Sequence, residues 1–143
     1  MSINSKDNPD KAEICVPLIL IAESNALNRR LTCDLLKSRG YKVMEVANSR
    51  MIVEATRQNK PDLVLVDLAL PGLDILNIVK HIRMDSQLDS IAIIAVTNAT
   101  INDDEIKAVQ NNYDEFVSKP VSITALIQKI DHMLGRAKKY TLR

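Results

Sequence analysis

The chain has 143 residues, 46% of them hydrophobic and 26% charged, with a formal net charge of +1. That length is one ordinary domain, able to bury roughly two-thirds of its unfolded surface without a metal or disulfide staple, and the composition excludes global disorder. The balanced charge gives no electrostatic reason to expect nucleic acid or anionic lipid.

Cys15 and Cys33 have no CxxC spacing, which fits a reduced compartment. The run VPLILIA falls far short of the roughly 20 apolar residues a bilayer span needs, so a soluble cytoplasmic protein without membrane attachment is expected.

Residues 1–13 are polar and aperiodic and read as a loose N-terminal arm ahead of a folded domain at 14–135. Ile14 to Ala22 is the first expected strand, with Leu18–Ile21 as its buried run, and Glu23-Ser24 ends it. From Asn25 to about Arg39 the period changes to a helical one. Leu27, Leu31 and Leu35, with Leu36 beside them, form the expected apolar stripe, Ser24 or Asn25 the cap, and Gly40 the stop. Tyr41–Val46 is a weakly alternating second strand, and about 50–59 a helix carried by Met51, Ile52 and Ala55.

The stretch PDLVLVDLALPG is central. Leu63–Val66 is an apolar run of strand length, Asp67 stands where that strand leaves the sheet, and Pro71-Gly72 signals a turn. Leu73 to about Met84 is a third helix, through Ile75, Leu76, Ile78, Val79 and Ile82, with Asp74 as a cap. Ile91–Val96 is the fourth strand and Thr97 its end. Asn102 and Glu105 have capping-box spacing for a helix containing Ile106 and Val109. Glu115–Val117 is a short fifth strand followed by Ser118-Lys119-Pro120, where a cis peptide would fix the lysine's direction. In the last helix Ile123, Leu126, Ile127, Ile130, Met133 and Leu134 share a face, Ser122 caps the start and Gly135 the end. Residues 136–143 form a short basic tail.

Strands alternating with helices require crossovers. The expected fold is therefore α/β, a doubly wound five-stranded parallel sheet with flanking helices, flavodoxin-like. Ligands collect at the carboxyl edge of such a sheet. There the strand ends deliver Glu23, Ser24, Asp67, Thr97, Asn98 and Lys119. That set suits phosphoryl transfer: an Asp oxygen attacks phosphorus, Mg²⁺ bridges acidic groups to the incoming oxygens, and Lys and Thr hold the rest.

Taken singly, each residue has a plainer reading. Asp67 can be a solvated loop acid, Glu23-Ser24 a strand exit and cap, Thr97 an ordinary strand end, Lys119 a surface lysine. Phe116 is either half-buried packing or an exchangeable aromatic. No GxGxxG or GxxxxGK[ST] occurs, and His81 and His132 stand alone, so neither a nucleotide loop nor a His/Cys catalytic set is indicated and the chain is not expected to be an enzyme.

Taken together, ILIAESN, DLALPG, AVTN and FVSKP, spread in order over Leu18 to Leu134, resemble a response-regulator receiver domain of two-component signalling, of the CheY-like superfamily and close to its stand-alone single-domain members. The resemblance implies Asp67 as phosphoacceptor, Lys119 and Thr97 as its partners, Thr97 and Phe116 as switch residues, and Glu23, Ser24 and Asp67 around Mg²⁺. It also implies a sensor histidine kinase or histidine phosphotransfer protein as donor, and output through a downstream protein partner rather than direct nucleic-acid contact.

The chain departs from the family pattern at Ser24, where the second acid of the pair is usual, at Ile75 and Asn112, where Gly is usual, and at Asn98. A neutral Ser24 removes one charge from the cation site, so weakly bound Mg²⁺ and slow or absent phosphorylation are expected unless Glu23 reaches inward to replace the missing carboxylate. The alternative is a phosphorylation-impaired pseudo-receiver acting as a constitutive interaction module.

Overall fold

The computed structural model describes residues 16–68, 75–88, 90–97, 113–119 and 121–135. Their elements are β1 (Leu18–Ala22), α1 (Ala26–Ser38), β2 (Lys42–Val46), a 3-10 turn (Ser49–Met51), α2 (Ile52–Asn59), β3 (Leu63–Asp67), α3 (Ile75–Met84), β4 (Ala92–Thr97), β5 (Glu115–Ser118) and α4 (Ile123–Met133). The arm at 1–13, the basic tail, the expected helix through Ile106 and Val109, and Cys15, Pro71-Gly72, Asp74, Asn98, Asn112 and Pro120 lie outside the described residues.

The five strands form one sheet in the order β2-β1-β3-β4-β5, and every pairing is parallel. The expected fold class is the one found. Alternate residues of the inner strands feed two cores, because side chains along a strand point to opposite faces. Leu20, Ala22, Val64, Val66, Ile93 and Ala95 pack with Ile52, Ile78, Val79 and Ile82 on one side. Ile19, Ile21, Leu63, Leu65, Ile94 and Val96 pack with Cys33, Leu36, Leu126, Ile127 and Ile130 on the other. Hence the continuous apolar run at 63–66: β3 is covered by helices on both faces and buried throughout.

The chain leaves β1 toward β2, then returns across it to place β3 on β1's other side. This reversal opens a crevice between the loops after β1 and β3, the place where open α/β sheets bind ligands.

Helix α1 begins as expected: Asn25 Oδ1 accepts from the Asn28 N–H at 2.9 Å. It ends on Gly40, whose φ of 93° is open to glycine at little cost. Its buried face is a correction. Cys33 and Leu36 enter the core, whereas Leu27 is 76% and Leu31 49% exposed. The every-fourth-residue leucines drift around a helix of 3.6 residues per turn, so this spacing does not mark the inward face. Met51 is corrected likewise: it stands exposed on the 3-10 turn, and Thr56 takes the buried position. Tyr41 is buried just ahead of β2 instead of opening it. Helix α4 is capped by Ser122, whose Oγ accepts from the Ala125 N–H at 3.3 Å, and is followed by Gly135 at φ 72°.

Candidate functional site

Asp67 is the last residue of β3 and only 3% exposed. The ladder carries on past it, with the Leu68 N–H donating to the Val96 carbonyl at 2.9 Å, so the carboxylate's origin is fixed by the sheet. Lys119 follows β5, and its own N–H donates to the Thr97 carbonyl at 2.8 Å. From there its ammonium reaches back across β4 and donates to Asp67 Oδ2 at 2.8 Å. That is the length of a charge-assisted bond.

Glu23 leaves β1 with its N–H donating to the Val46 carbonyl at 3.2 Å. Its Oε2 accepts from the Asn25 N–H at 3.0 Å. Burial pushes the Glu23 carboxyl above the ordinary glutamate range, and the neighbouring Asp67 carboxylate pushes the same way; the Asn25 N–H and the Lys119 ammonium only partly offset them. Two acids therefore face one another beside a single lysine.

They stand at the wall of a cavity of about 320 Å³. Glu23, Asp67 and Lys119 line it, with apolar Ile21, Leu65 and Val96 behind them. Helix α1 contributes Asn28, Leu31 and Thr32 to its lining, and α4 contributes Ile123 and Leu126.

The other expected site residues fall differently. Ser24 is exposed and does not line the cavity. Thr97 is buried at the end of β4, opposite Ser118 in register, and is not among the lining residues either. Phe116 is half-buried, its ring centroid 5.4 Å from that of Tyr113 at an interplanar angle of 50°. Glu23, Asp67 and Lys119 are brought together at the cavity wall, which Ser24, Thr97 and Phe116 do not line.

One participant escaped the sequence reading. Arg29 Nη1 donates to the Glu23 carbonyl at 2.7 Å and, at a longer 3.5 Å, to that of Ser24, while its Nε donates to Glu45 Oε1 at 3.0 Å. A signal existed. The first turn of α1 has no acidic residue, and an arginine so near the positive end of a helix dipole needs an acceptor of its own. Cys33, by contrast, is no nucleophile: burial, with Glu45 nearby, pushes its thiol up to about 11.

The donor set fits a hard divalent cation. Oxygen ligands are available on Glu23 and Asp67, and a cation between them would offset the burial and the neighbouring Asp67 carboxylate that push the Glu23 carboxyl up. Among the described residues no cluster of three His, Cys, Asp or Glu side chains occurs, so the site offers two carboxylates rather than three.

The family model of the response regulator receiver domain matches residues 19–131. The chain belongs to this family of two-component signalling receivers. The polar-differentiation response regulator DivK of Brucella anthropi is 34% identical over 119 residues, spanning 83% of this chain and 97% of DivK. Among solved structures, the receiver domain of the sensor histidine kinase PA1611 from Pseudomonas aeruginosa, with a magnesium ion coordinated in its active site cleft, aligns at TM-score 0.76 and 26% identity. It covers 85% of this receiver and 99% of its own chain. The chemotaxis response regulator CheY4 of Vibrio cholerae, at TM-score 0.75 and 18% identity over 83% of this chain and 99% of its own, shares the fold. Among the described residues of the receiver, no helix is long and apolar enough to cross a membrane.

Proposed function

We propose that this receiver accepts a phosphoryl group on Asp67 and works as a protein-contact switch of the cytoplasm rather than as an enzyme. The observation that carries the reading is the 2.8 Å bond from Lys119 to Asp67 at the wall of the cavity. An Asp67 oxygen attacks phosphorus, the O–P bond forms as the donor's P–N bond breaks, and the donor imidazole leaves with the bonding pair and takes up a proton. The Lys119 ammonium orients Asp67 and then neutralises charge on the phosphoryl oxygens. Glu23 and Asp67 would hold Mg²⁺, which supplies further neutralisation of the transferring group. Two carboxylates instead of three support weak Mg²⁺ binding, with Ser24 contributing at most a neutral oxygen.

The donor is a sensor histidine kinase or a histidine phosphotransfer protein. Its docking is supported by Leu27 and Leu31, exposed on α1, with Leu31 also lining the cavity. Output runs through Thr97, which closes on the new phosphoryl oxygens, and through Phe116, which follows it and alters the surface around β5 and α4 for a downstream protein. The switching unit spans residues 14–135, with an arm at 1–13 and a basic tail at 136–143.

The test is incubation of the full chain with a small-molecule phosphodonor and Mg²⁺, read by intact mass. A single phosphoryl adduct, absent from Asp67→Asn, is expected. No adduct at any Mg²⁺ concentration would leave the constitutive interaction module as the better reading.

A further inference from the structure

We infer that Arg29 is the positioning residue of the cation and phosphoryl site: it clamps the backbone after β1 so that the Glu23 carboxylate is aimed at Asp67. The inference deepens the phosphoacceptor reading and rests on it for the identity of the site.

An arginine fork has several donors in a fixed plane, so one guanidinium can tie several acceptors in a set geometry. Here it ties three elements. Nη1 holds the Glu23 carbonyl at 2.7 Å and touches that of Ser24 at 3.5 Å, and Nε holds Glu45 on β2 at 3.0 Å, all from a residue of α1. The Arg29 side chain is largely buried, 20% exposed against 39% for Glu45.

Three consequences follow for Glu23. Its main chain is fixed at both ends, by Val46 through the N–H and by Arg29 through the carbonyl, while the Asn25 N–H fixes Oε2. The carboxyl is thereby held at the wall of the cavity that Asp67 also lines. The Glu23 carbonyl, an oxygen that a cation would otherwise attract, is committed to the guanidinium. Glu45 balances the guanidinium charge, so a donor is added beside the site without a net positive charge that would oppose a metal. With neutral Ser24 in the next position, the aim of this one glutamate decides how much negative charge the site presents beyond Asp67. Mg²⁺ tolerates little deviation from octahedral geometry, and partners that orient a ligand typically matter by about 10–100-fold in metal affinity.

The experiment uses the full chain as wild type, Arg29→Gln, Arg29→Lys, Glu45→Gln, Glu23→Gln and the Arg29→Gln/Glu23→Gln double variant, with two readouts: Mg²⁺ affinity by calorimetry and the melting temperature without metal. Arg29→Gln is expected to weaken Mg²⁺ by about 10–100-fold. The same change is expected to have little further effect on Mg²⁺ when Glu23 is already Gln, because the arginine acts through that carboxylate. Arg29→Lys, which keeps charge but not the fork, falls between wild type and Gln. Glu45→Gln weakens Mg²⁺ in the same direction.

A clamp that merely staples the loop would lower the melting temperature of Arg29→Gln and leave Mg²⁺ affinity at the wild-type value, or weaken it equally with and without Glu23; either outcome overturns the inference. Mg²⁺ binding is read without phosphorylation. If Asp67 takes no phosphoryl group while Mg²⁺ affinity still depends on Arg29 through Glu23, the phosphoacceptor reading fails and the positioning role stands.

Discussion

Asp67 and Asp131 are both buried carboxylates, 3% and 8% exposed, and they lie at opposite ends of α1. Asp131, on α4, accepts from the Tyr41 hydroxyl through Oδ1 and from Arg39 Nη2 through Oδ2 at 2.7 Å. Those bonds tie α4 to the end of α1 and the turn just ahead of β2. Asp67 has the Lys119 ammonium at one oxygen, but it also faces Glu23, a second acid, and it borders a cavity. The same functional group thus does two jobs according to what surrounds it. Donors converging on Asp131 from neighbouring elements make it a strut. A like charge and open space beside Asp67 make it a place where a cation and a phosphoryl group are welcome.

The sharpest way to break the contrast is to neutralise each acid in turn. Asp67→Asn should abolish the phosphoryl adduct and leave the melting temperature at or above that of wild type, since it removes the charge facing Glu23. Lys119→Met should slow adduct formation by about 100-fold, the usual scale for losing one preorganised donor to a developing negative charge. Asp131→Ala should do the reverse of Asp67→Asn. It leaves the adduct intact and costs roughly 1–3 kcal/mol in a denaturant titration, because the buried Tyr41 hydroxyl and the Arg39 guanidinium lose this acceptor.

That asymmetry also explains how much was legible in the sequence. Asp67 stood out because an acid directly after Leu63–Val66 marks a strand leaving the sheet, and strand ends are where chemistry collects. Asp131 did not stand out. It sits among Leu126, Ile127, Ile130 and Met133, and its partners lie about ninety residues away, at Arg39 and Tyr41, a pairing no local pattern encodes. The parallel sheet was readable from the alternation of apolar strand runs and helical periods. The inward face of α1 was not: periodicity reports which residues share a face, and Leu27 and Leu31 share one that points away from both cores. Arg29 was hidden for a related reason, since its acceptors, the Glu23 and Ser24 carbonyls and Glu45 on β2, come together only in the folded chain.

Smaller effects sharpen the comparison further. Because the Glu23 carboxyl is raised, the native state holds more protons than the unfolded chain between the ordinary glutamate range and the raised value. Stability should therefore fall as pH rises through that window. Glu23→Gln should flatten this slope in melting curves taken across pH, and should melt above wild type at neutral pH. Metal binding runs the other way: wild-type Mg²⁺ affinity falls as pH drops through the raised Glu23 value, and Glu23→Gln loses that dependence along with most of the affinity. The smallest change is expected at Leu27→Ala. Its side chain is exposed, so stability should move by no more than about 0.5 kcal/mol. Slower transfer from a phosphohistidine protein, with unchanged labelling by a small phosphodonor, would mark Leu27 as part of the docking face.

Borohydride trapping of the phosphorylated chain tests the central claim most directly, because an acyl phosphate is reduced to an alcohol at the residue that carried it. After labelling with Mg²⁺ and a phosphodonor, peptide mass spectrometry should find homoserine at position 67 and nowhere else. Reduction at Glu23 or another acid, or a fully labelled protein with Asp67 intact, would contradict the account.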